Sequence, residues 1–302
     1  ELSRSYLFDT LLDGGTGTDW LIFRVPDYNA SYGITYELNT SPTQGFENVQ
    51  GTKQDDVLTG DDGANVIYAG SGSDEVYGLG GDDVIYGAYG VNDYSSEYSD
   101  GDDILFGGSG NDTLVGNDGD DELDGGLGQD ILWGDNKTNP NDMYTTGMYD
   151  NNDVNGSDTF IIRIGDGSFT IDGADIIMDF EDGTDQIALS DGLVFNELTI
   201  YQGQGDYASD VIVQHEFEYL AIVKNINISN LNYFDLVVND GVAVNSSGTE
   251  QDDILLGGSS NDELSTSIGT DVVVGYQGDD VINVTGLGDK TIDGGSGDDT
   301  LQ

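Results

Sequence analysis

The chain is 302 residues long and carries 59 acidic against 7 basic residues, a formal charge of −52. That balance excludes nucleic acid as a partner, because phosphate binding needs basic clusters, and it makes an anionic membrane surface equally unattractive. Hydrophobic residues at 36%, aromatics at 10% and 3 Pro against 46 Gly argue against a disordered acidic tail. There are no cysteines for disulfides or thiolate metal sites, and no apolar run approaches the ~18 residues of a membrane-spanning helix. A uniformly acidic surface would scatter its carboxylates; here they recur at one interval.

Residues 1–50 read as a strand-rich lead-in. SYLFDTLLD (5–13) ends in register with a complete nine-residue window, GGTGTDWLI (14–22), which sets Asp19 at its sixth place. An alternating stretch then runs into FENVQGT. From Gly51 to residue 135 the nine-residue windows form an array, beginning at 51, 60, 69 and 78, breaking for an insertion (87–97), and resuming at 98, 107, 116 and 125. The eighth place is always aliphatic: Leu58, Ile67, Val76, Ile85, Leu105, Leu114, Leu123 and Leu132. The sixth place holds Asp56, Asn65, Asp74, Asp83, Asp103, Asp112, Asp121 and Asp130.

Residues 136–157 form a polar, Asn-rich insertion. Within it NNDVNGSD (151–158) offers oxygens at alternate positions, as an EF-hand loop does, but lacks the acids at both ends; Ile162 stands at place twelve, so a polar turn is expected. Residues 158–244 change character. SDTFIIRI, ADIIMDFEDGTDQIALSDGL, DVIVQHEFEYLAIV and YFDLVV are β-rich runs with turn punctuation. Asp179, Asp182 and Asp185 are candidates for a further ion, although loop acids are ordinarily just solvated. A second array fills 245–302, with windows at 248, 257, 266 and 275, a slip at Val284, then 285 and 294. Its eighth places are Leu255, Leu264, Val273, Ile282, Ile292 and Leu301; its sixth places are Asp253, Asp262, Asp271, Asp280, Lys290 and Asp299. It is expected to continue or stack beyond the chain end.

Three residues around the eighth place suffice for a short strand whose middle side chain points inward. The Gly-rich remainder makes a tight turn. Two windows then close one coil of eighteen residues, and coils stack into an all-β, parallel two-sheet solenoid. Sixth-place carboxylates eighteen residues apart fall on the same side, Asp112 near Asp130 and Asp103 near Asp121. Such pairs repel unless a hard cation lies between them, and Ca²⁺, which takes six to eight oxygens from carboxylates and carbonyls alike, suits them better than Mg²⁺.

These windows resemble the RTX, or hemolysin-type, calcium-binding nonapeptide repeat. DIIMDFEDGTDQIALS resembles the element that follows the repeats in serralysin-type proteins, which implies that residues 158–244 form a β-sandwich-like cap over the open end of the first stack. The resemblance implies a parallel β-roll with multiple Ca²⁺ ions, each held by the carbonyls of places two and four and the sixth-place Asp of one turn. Places one and three and the sixth-place Asp of the turn a coil later complete the set. One ion would take Gly108, Gly110 and Asp112 with Gly125, Leu127 and Asp130. The preceding one would take Ser99, Gly101 and Asp103 with Gly116, Asp118 and Asp121. The same pattern puts Gly63 and Asn65 with Gly78, Gly80 and Asp83, and Gly70, Gly72 and Asp74 opposite Asp103. In the second array it puts Gly258, Ser260 and Asp262 with Gly275, Gln277 and Asp280, and Gly278 and Asp280 with Gly294, Ser296 and Asp299. Asp19, Asp56, Asp253 and Asp271 complete the candidates. Asn65 can still offer an oxygen; Lys290, opposite Asp271, is expected to exclude calcium there.

No catalytic constellation is visible. The single histidine lies in HEFEY (215–219), which lacks the second His of a zinc-protease helix and alternates as a strand. There is no G-x-S-x-G elbow and no phosphate-cradling glycine loop. The expectation is a secreted, calcium-folded module, not an enzyme, exported by a type I system. The alternatives are a self-assembling subunit of an extracellular filament, surface layer or adhesin, stacked end to end, and the non-catalytic region of a larger secreted enzyme or toxin.

Overall fold

The computed structural model of the protein describes residues 12–23, 33–38, 43–88, 101–135, 156–231, 235–238 and 244–302. Those residues form a parallel β-solenoid with two facing sheets and no α-helix. One sheet stacks eight strands: Thr35–Glu37, Val57–Thr59, Glu75–Gly80, Ile104–Ser109, Glu122–Leu127, Thr159–Ile162, Gln186–Leu189 and Leu236–Val238. The other stacks ten: Trp20–Ile22, Asn48–Gln50, Val66–Gly70, Val84–Ala88, Thr113–Val115, Ile131–Trp133, Asp175–Ile177, Glu218–Val223, Val211–His215 and Leu198–Gln202. In the repeats successive strands alternate between the sheets, so each coil gives one strand to each.

The register follows the repeat. Leu105 faces Leu123 and Leu114 faces Leu132 across neighbouring coils. Across the expected insertion Val76 faces Leu105, a separation of one coil plus the inserted residues. The eighth-place side chains of the first array all point between the sheets and are fully buried, from Leu58 to Leu132. They form one continuous column. Full burial of each such side chain contributes about 1.5–3 kcal/mol, and the strict period of nine is what keeps every contribution on the inner face. Ninth-place rings stack along the outer faces, Tyr68 on Tyr86 in one sheet and Tyr77 on Phe106 in the other, and the seventh-place Trp20 stacks on Tyr68.

Residues 159–238 add to the same two sheets. Thr159–Ile162 lies parallel to Glu122–Leu127, and Asp175–Ile177 parallel to Ile131–Trp133. The expected cap is therefore continuous with the roll. Phe160, Ile177 and Ile187 each stand two residues after an aspartate and are fully buried in the same column, which is the repeat's own strand rule without its glycines. Antiparallel pairing enters with the strands Leu198–Gln202, Val211–His215 and Glu218–Val223. Their turn is tied by the fully buried Asp210, which pairs with Lys224 Nζ at 2.6 Å and accepts the Asn225 N–H at 3.0 Å.

The second array repeats the scheme in two smaller sheets. One comprises Asn245–Ser247, Glu263–Ser265, Val281–Asn283 and Thr300–Leu301, the other Ile254–Gly258, Asp271–Tyr276 and Lys290–Asp293. Leu255, Leu264, Val273 and Ile282 are its core. Ile292 is half-buried and Leu301 is 64% exposed, since among the described residues no further coil covers them. Leu256 and Val274 join the main core, and the Tyr276 hydroxyl donates to the Leu236 carbonyl, so the two arrays are coupled through the segment between them.

Candidate metal sites

The window 107–115 shows how the turns are built. Gly108 and Gly110 take φ of 110° and 142°, a region that L side chains avoid. Three non-glycine residues at place two, Leu79, Asn117 and Tyr276, take this conformation too, with φ of 80°, 82° and 71°. Where place one is glycine, the reason is different. A Cβ on Gly107 would stand 2.5 Å from Asp112 Oδ2 and 2.6 Å from the carbonyl oxygen of Gly125, one coil on. Gly60, Gly78, Gly257 and Gly275 face the equivalent sixth-place side-chain oxygen and next-coil carbonyl. At these glycines the turn reserves a slot, lined by carboxylate and backbone oxygen, that a side chain would fill.

The sixth-place carboxylates line this slot in columns. The N–H of Asp112 donates to Asp130 Oδ1 at 2.7 Å, that of Asp103 to Asp121 at 2.8 Å, and that of Asp74 to Asp103 at 2.7 Å. Asp56, Asn65 and Asp83 donate in the same way to Asp74, Asp83 and Asp112. In the second array Asp253 donates to Asp271, Asp262 to Asp280, and Asp280 to Asp299. One oxygen of each acceptor is therefore fixed by the preceding coil. The other, Oδ2, is buried in Asp74, Asp83, Asp112, Asp121, Asp130 and Asp280 with no hydrogen-bond partner among the described residues. Leaving such an oxygen dry and unbonded is costly. Burial is the main cause that drives the carboxyls up, with neighbouring acids adding to it: Asp74 to about 8, Asp83, Asp121 and Asp130 to about 7, and Asp112 to about 6. Each slot calls for a cation or a proton.

The remaining candidates fall into place unevenly. At the third place the side chain faces out and the backbone bonds across coils. Leu127 is exposed while its carbonyl accepts the Gly110 N–H, and the Ser296 carbonyl accepts the Gly278 N–H. Gly70, Gly72, Gly101, Gly258 and Gly278 lie so close to the preceding coil's backbone that a Cβ would collide with it. Gly63, Gly80, Gly116, Asp118, Gly125, Ser260, Gly275, Gln277 and Gly294 occupy their turn positions in the described coils, and Ser99 lies outside the described residues. Asp56 and Asp253, first in their arrays, are already served within the turn, by the N–H and hydroxyl of Thr52 and of Thr249. Asp19 keeps a buried, unbonded Oδ2, and its N–H donates to Glu47 Oε2 at 2.8 Å.

Glu47 therefore holds a sixth place that the aspartate pattern does not reveal. Asp158, Asp175 and Asp185 hold others: Asp121 donates to Asp158, Asp130 to Asp175, and Asp158 to Asp185. The signal was the Asp-x-aliphatic or Asp-x-Phe triplet, hidden by irregular spacing. Of the loop acids, Asp179 accepts the N–H groups of Gly134 and Asp135, Asp185 accepts that of Glu181, and Asp182 accepts from Asn230. The EF-like stretch lies largely outside the described residues.

Cations of the chain itself stand at three other buried carboxylate groups: Lys290 on Asp271, Lys224 on Asp210, and Arg163 between Asp124, Asp166 and Asp191. His215 lies on a strand, its Nε2 3.9 Å from Glu197 Oε2. Among the described residues no group of three or more His, Asp or Glu side chains could hold a metal; the oxygens of each slot come from carboxylates and the backbone. No helix among them is long and apolar enough to cross a membrane.

A parallel roll whose turns repeat every nine residues, with oxygen-lined slots between coils, defines a repeat-built cation-binding fold. The family model of the RTX calcium-binding nonapeptide repeat matches residues 43–76, 68–94, 98–132, 247–282 and 284–302, and these stretches, just under half of the chain, are RTX calcium-binding repeats. No curated protein matches the chain. Among solved structures, the extracellular lipase LipA from Serratia marcescens is similar over 73% of this chain and 42% of its own, at 14% identity and a TM-score of 0.29. The chain thus spans less than half of that lipase, and so slight a likeness carries no argument about fold or activity.

Proposed function

We propose that the chain is a calcium-stapled folding module of a secreted protein, with ions seated between turns one coil apart. The observation that carries this is the column of buried, unbonded Oδ2 atoms aimed at the first-place glycines. One ion joins the carbonyls of Gly108 and Gly110 and the Asp112 carboxylate to Gly125, Leu127 and Asp130, and the other slots follow the same pattern. An all-oxygen set with adjustable geometry favours Ca²⁺ over Mg²⁺. Without the ion, a charge of −52 and dry carboxylates oppose closure. With it, binding energy becomes folding energy. Such a chain would leave a cell unfolded, in keeping with type I export, and close in external calcium. By this reading residues 1–50 lead in, 51–135 and 245–302 are calcium rolls, and 158–244 is a β-rich cap that joins them.

The test is far-UV circular dichroism with light scattering while CaCl₂ is titrated into chelator-treated protein, with MgCl₂ as control. A cooperative, calcium-specific gain of β structure is expected. Full β structure without calcium would overturn the reading. Calcium-dependent growth in scattering mass would add end-to-end assembly, as in a filament or surface layer; a monomer at every calcium level would remove it.

A further inference from the structure

The RTX match stops at residue 132 and resumes at 247, yet the next turn of the roll is present in two pieces. Gly134 sits where a first-place glycine belongs: a Cβ on Gly116 would stand 2.7 Å from its carbonyl oxygen, as one on Gly107 stands 2.6 Å from that of Gly125. Gly156 sits at a fourth place, where a Cβ would collide with the Gly119 carbonyl just as one on Gly119 would collide with that of Gly101. Ser157 sits at a fifth place. Its N–H donates to Asp120 Oδ1 at 2.8 Å, continuing the bond from the Asp120 N–H to Asp102 Oδ1 at 3.0 Å. Asp158 sits at a sixth place, accepting the Asp121 N–H at 3.0 Å, and Phe160 at an eighth, facing Leu123. The two pieces are clasped: Asp135 Oδ1 accepts the Gly156 N–H at 3.0 Å, and Asp179 accepts the N–H groups of Gly134 and Asp135 at 3.0 and 3.1 Å.

The slot between the Asp121 turn and this split turn has the features of a built site. Asp121 and Asp158 are each 1% exposed, and Oδ2 of each has no hydrogen-bond partner among the described residues. Both oxygens face first-place glycines. A Cβ on Gly134 would stand 2.5 Å from Asp158 Cγ, and one on Gly116 2.7 Å from Asp121 Cγ. We propose that Gly134–Asp135 and Gly156–Asp158 form one more calcium-binding turn, interrupted by residues 136–155, and that a Ca²⁺ ion sits between Asp121, Asp158 and the Gly134 carbonyl. The insertion enters between places two and four, so the turn keeps its first-place carbonyl and its sixth-place carboxylate. This rests on the calcium-roll reading and extends it past the recognised repeats, so that the ions run without a gap from the first array into the segment that follows.

The test is the number of Ca²⁺ ions bound by the full chain at saturation, from equilibrium dialysis with metal analysis, for the native protein, Asp112→Asn, Asp158→Asn, and a variant in which a single glycine replaces residues 136–155. Asp158→Asn is expected to bind fewer ions than the native protein, and the excised variant to keep the native number with undiminished β structure. If Asp112→Asn lowers the number and Asp158→Asn leaves it unchanged, the split turn is overturned and the roll stands. If neither substitution changes it, the roll reading itself has failed. Should Asp158→Asn fail to fold, the excised variant decides: a native ion number and fold support an interrupted repeat, and a lost ion or lost fold refutes it.

Discussion

Lys290 Nζ stands 2.9 Å from Asp271 Oδ2 and 2.6 Å from the carbonyl oxygen of Gly269, the sixth and fourth places of one turn. A lysine ammonium thus neutralises a slot that elsewhere awaits a cation. Burial would raise the Asp271 carboxyl, but the ammonium and two backbone donors outweigh it and hold the group below its usual range. The second array therefore carries one staple that needs no calcium. Lys290→Ala leaves a buried carboxylate without its partner, a loss of about 3–5 kcal/mol. It is expected to raise the calcium concentration at which β structure forms, a deficit that shrinks as calcium is raised further. Lys290→Asp should raise the number of bound ions. An unchanged midpoint of the calcium titration in Lys290→Ala would show that the pair contributes nothing.

The slots also fix a pH dependence. Their carboxyls are raised in the folded chain, to between about 6 and 8 for Asp74, Asp83, Asp112, Asp121 and Asp130, chiefly by burial. The folded state then holds protons that the unfolded chain, near 3.8, has released. In calcium-free protein this contribution is fully present below the unfolded value and is lost as pH rises through the folded values. Calcium-free protein should show more β structure at pH 5 than at pH 8. Calcium affinity should run the other way, since protons compete for the same oxygens. Asp271, held low by Lys290, opposes the trend. Circular dichroism of metal-depleted protein across this range checks the prediction; β structure that grows with pH would contradict it.

Two glycines separate the slot from simple backbone strain. Gly107→Ala places a methyl 2.5 Å from Asp112 Oδ2 and 2.6 Å from the Gly125 carbonyl. It should lower the bound-calcium number as well as stability, by about 1–3 kcal/mol from overpacking alone. Gly183→Ala meets nothing within 4 Å but sits at φ 76°; it should cost about 1–2 kcal/mol of strain and leave calcium binding untouched. Equal calcium numbers in the two variants would refute the role given to place one.

Most of the repeat architecture could be read from period alone, because places six and eight carry opposite chemistry at fixed spacing. Leu58 through Leu132 point inward as their spacing required, and the offset from Val76 to Leu105 matches one coil plus an insertion. What escaped were turns whose chemistry survives without the pattern. Glu47 substitutes a longer acid. Asp175 and Asp185 keep the strand triplet but not the glycines, and Gly134 and Asp158 are far apart in sequence. The bonds of Thr52 to Asp56 were equally illegible, since a threonine beside a first-place glycine looks like any turn residue until its hydroxyl is located. In each case tertiary register, not local sequence, assigns the role.

Arg163 gives the last test, of a carboxylate group that calcium does not serve. Its guanidinium bonds Asp124 and lies 3.6 Å from Asp166 Oδ2 and 3.5 Å from Asp191 Oδ2. Asp124 and Asp166 are buried. Burial pushes the Asp166 carboxyl up to about 7 even with the guanidinium beside it. Arg163→Met keeps much of the aliphatic stem and removes the guanidinium that stands among these acids. In saturating calcium at pH 8 the variant should lose about 3–5 kcal/mol. The loss should shrink toward pH 5, because protonation then neutralises the carboxyls that the arginine no longer can. Thermal denaturation of the variant and the native chain at both pH values measures this. A loss independent of pH would mean that Arg163 acts through packing and not through charge.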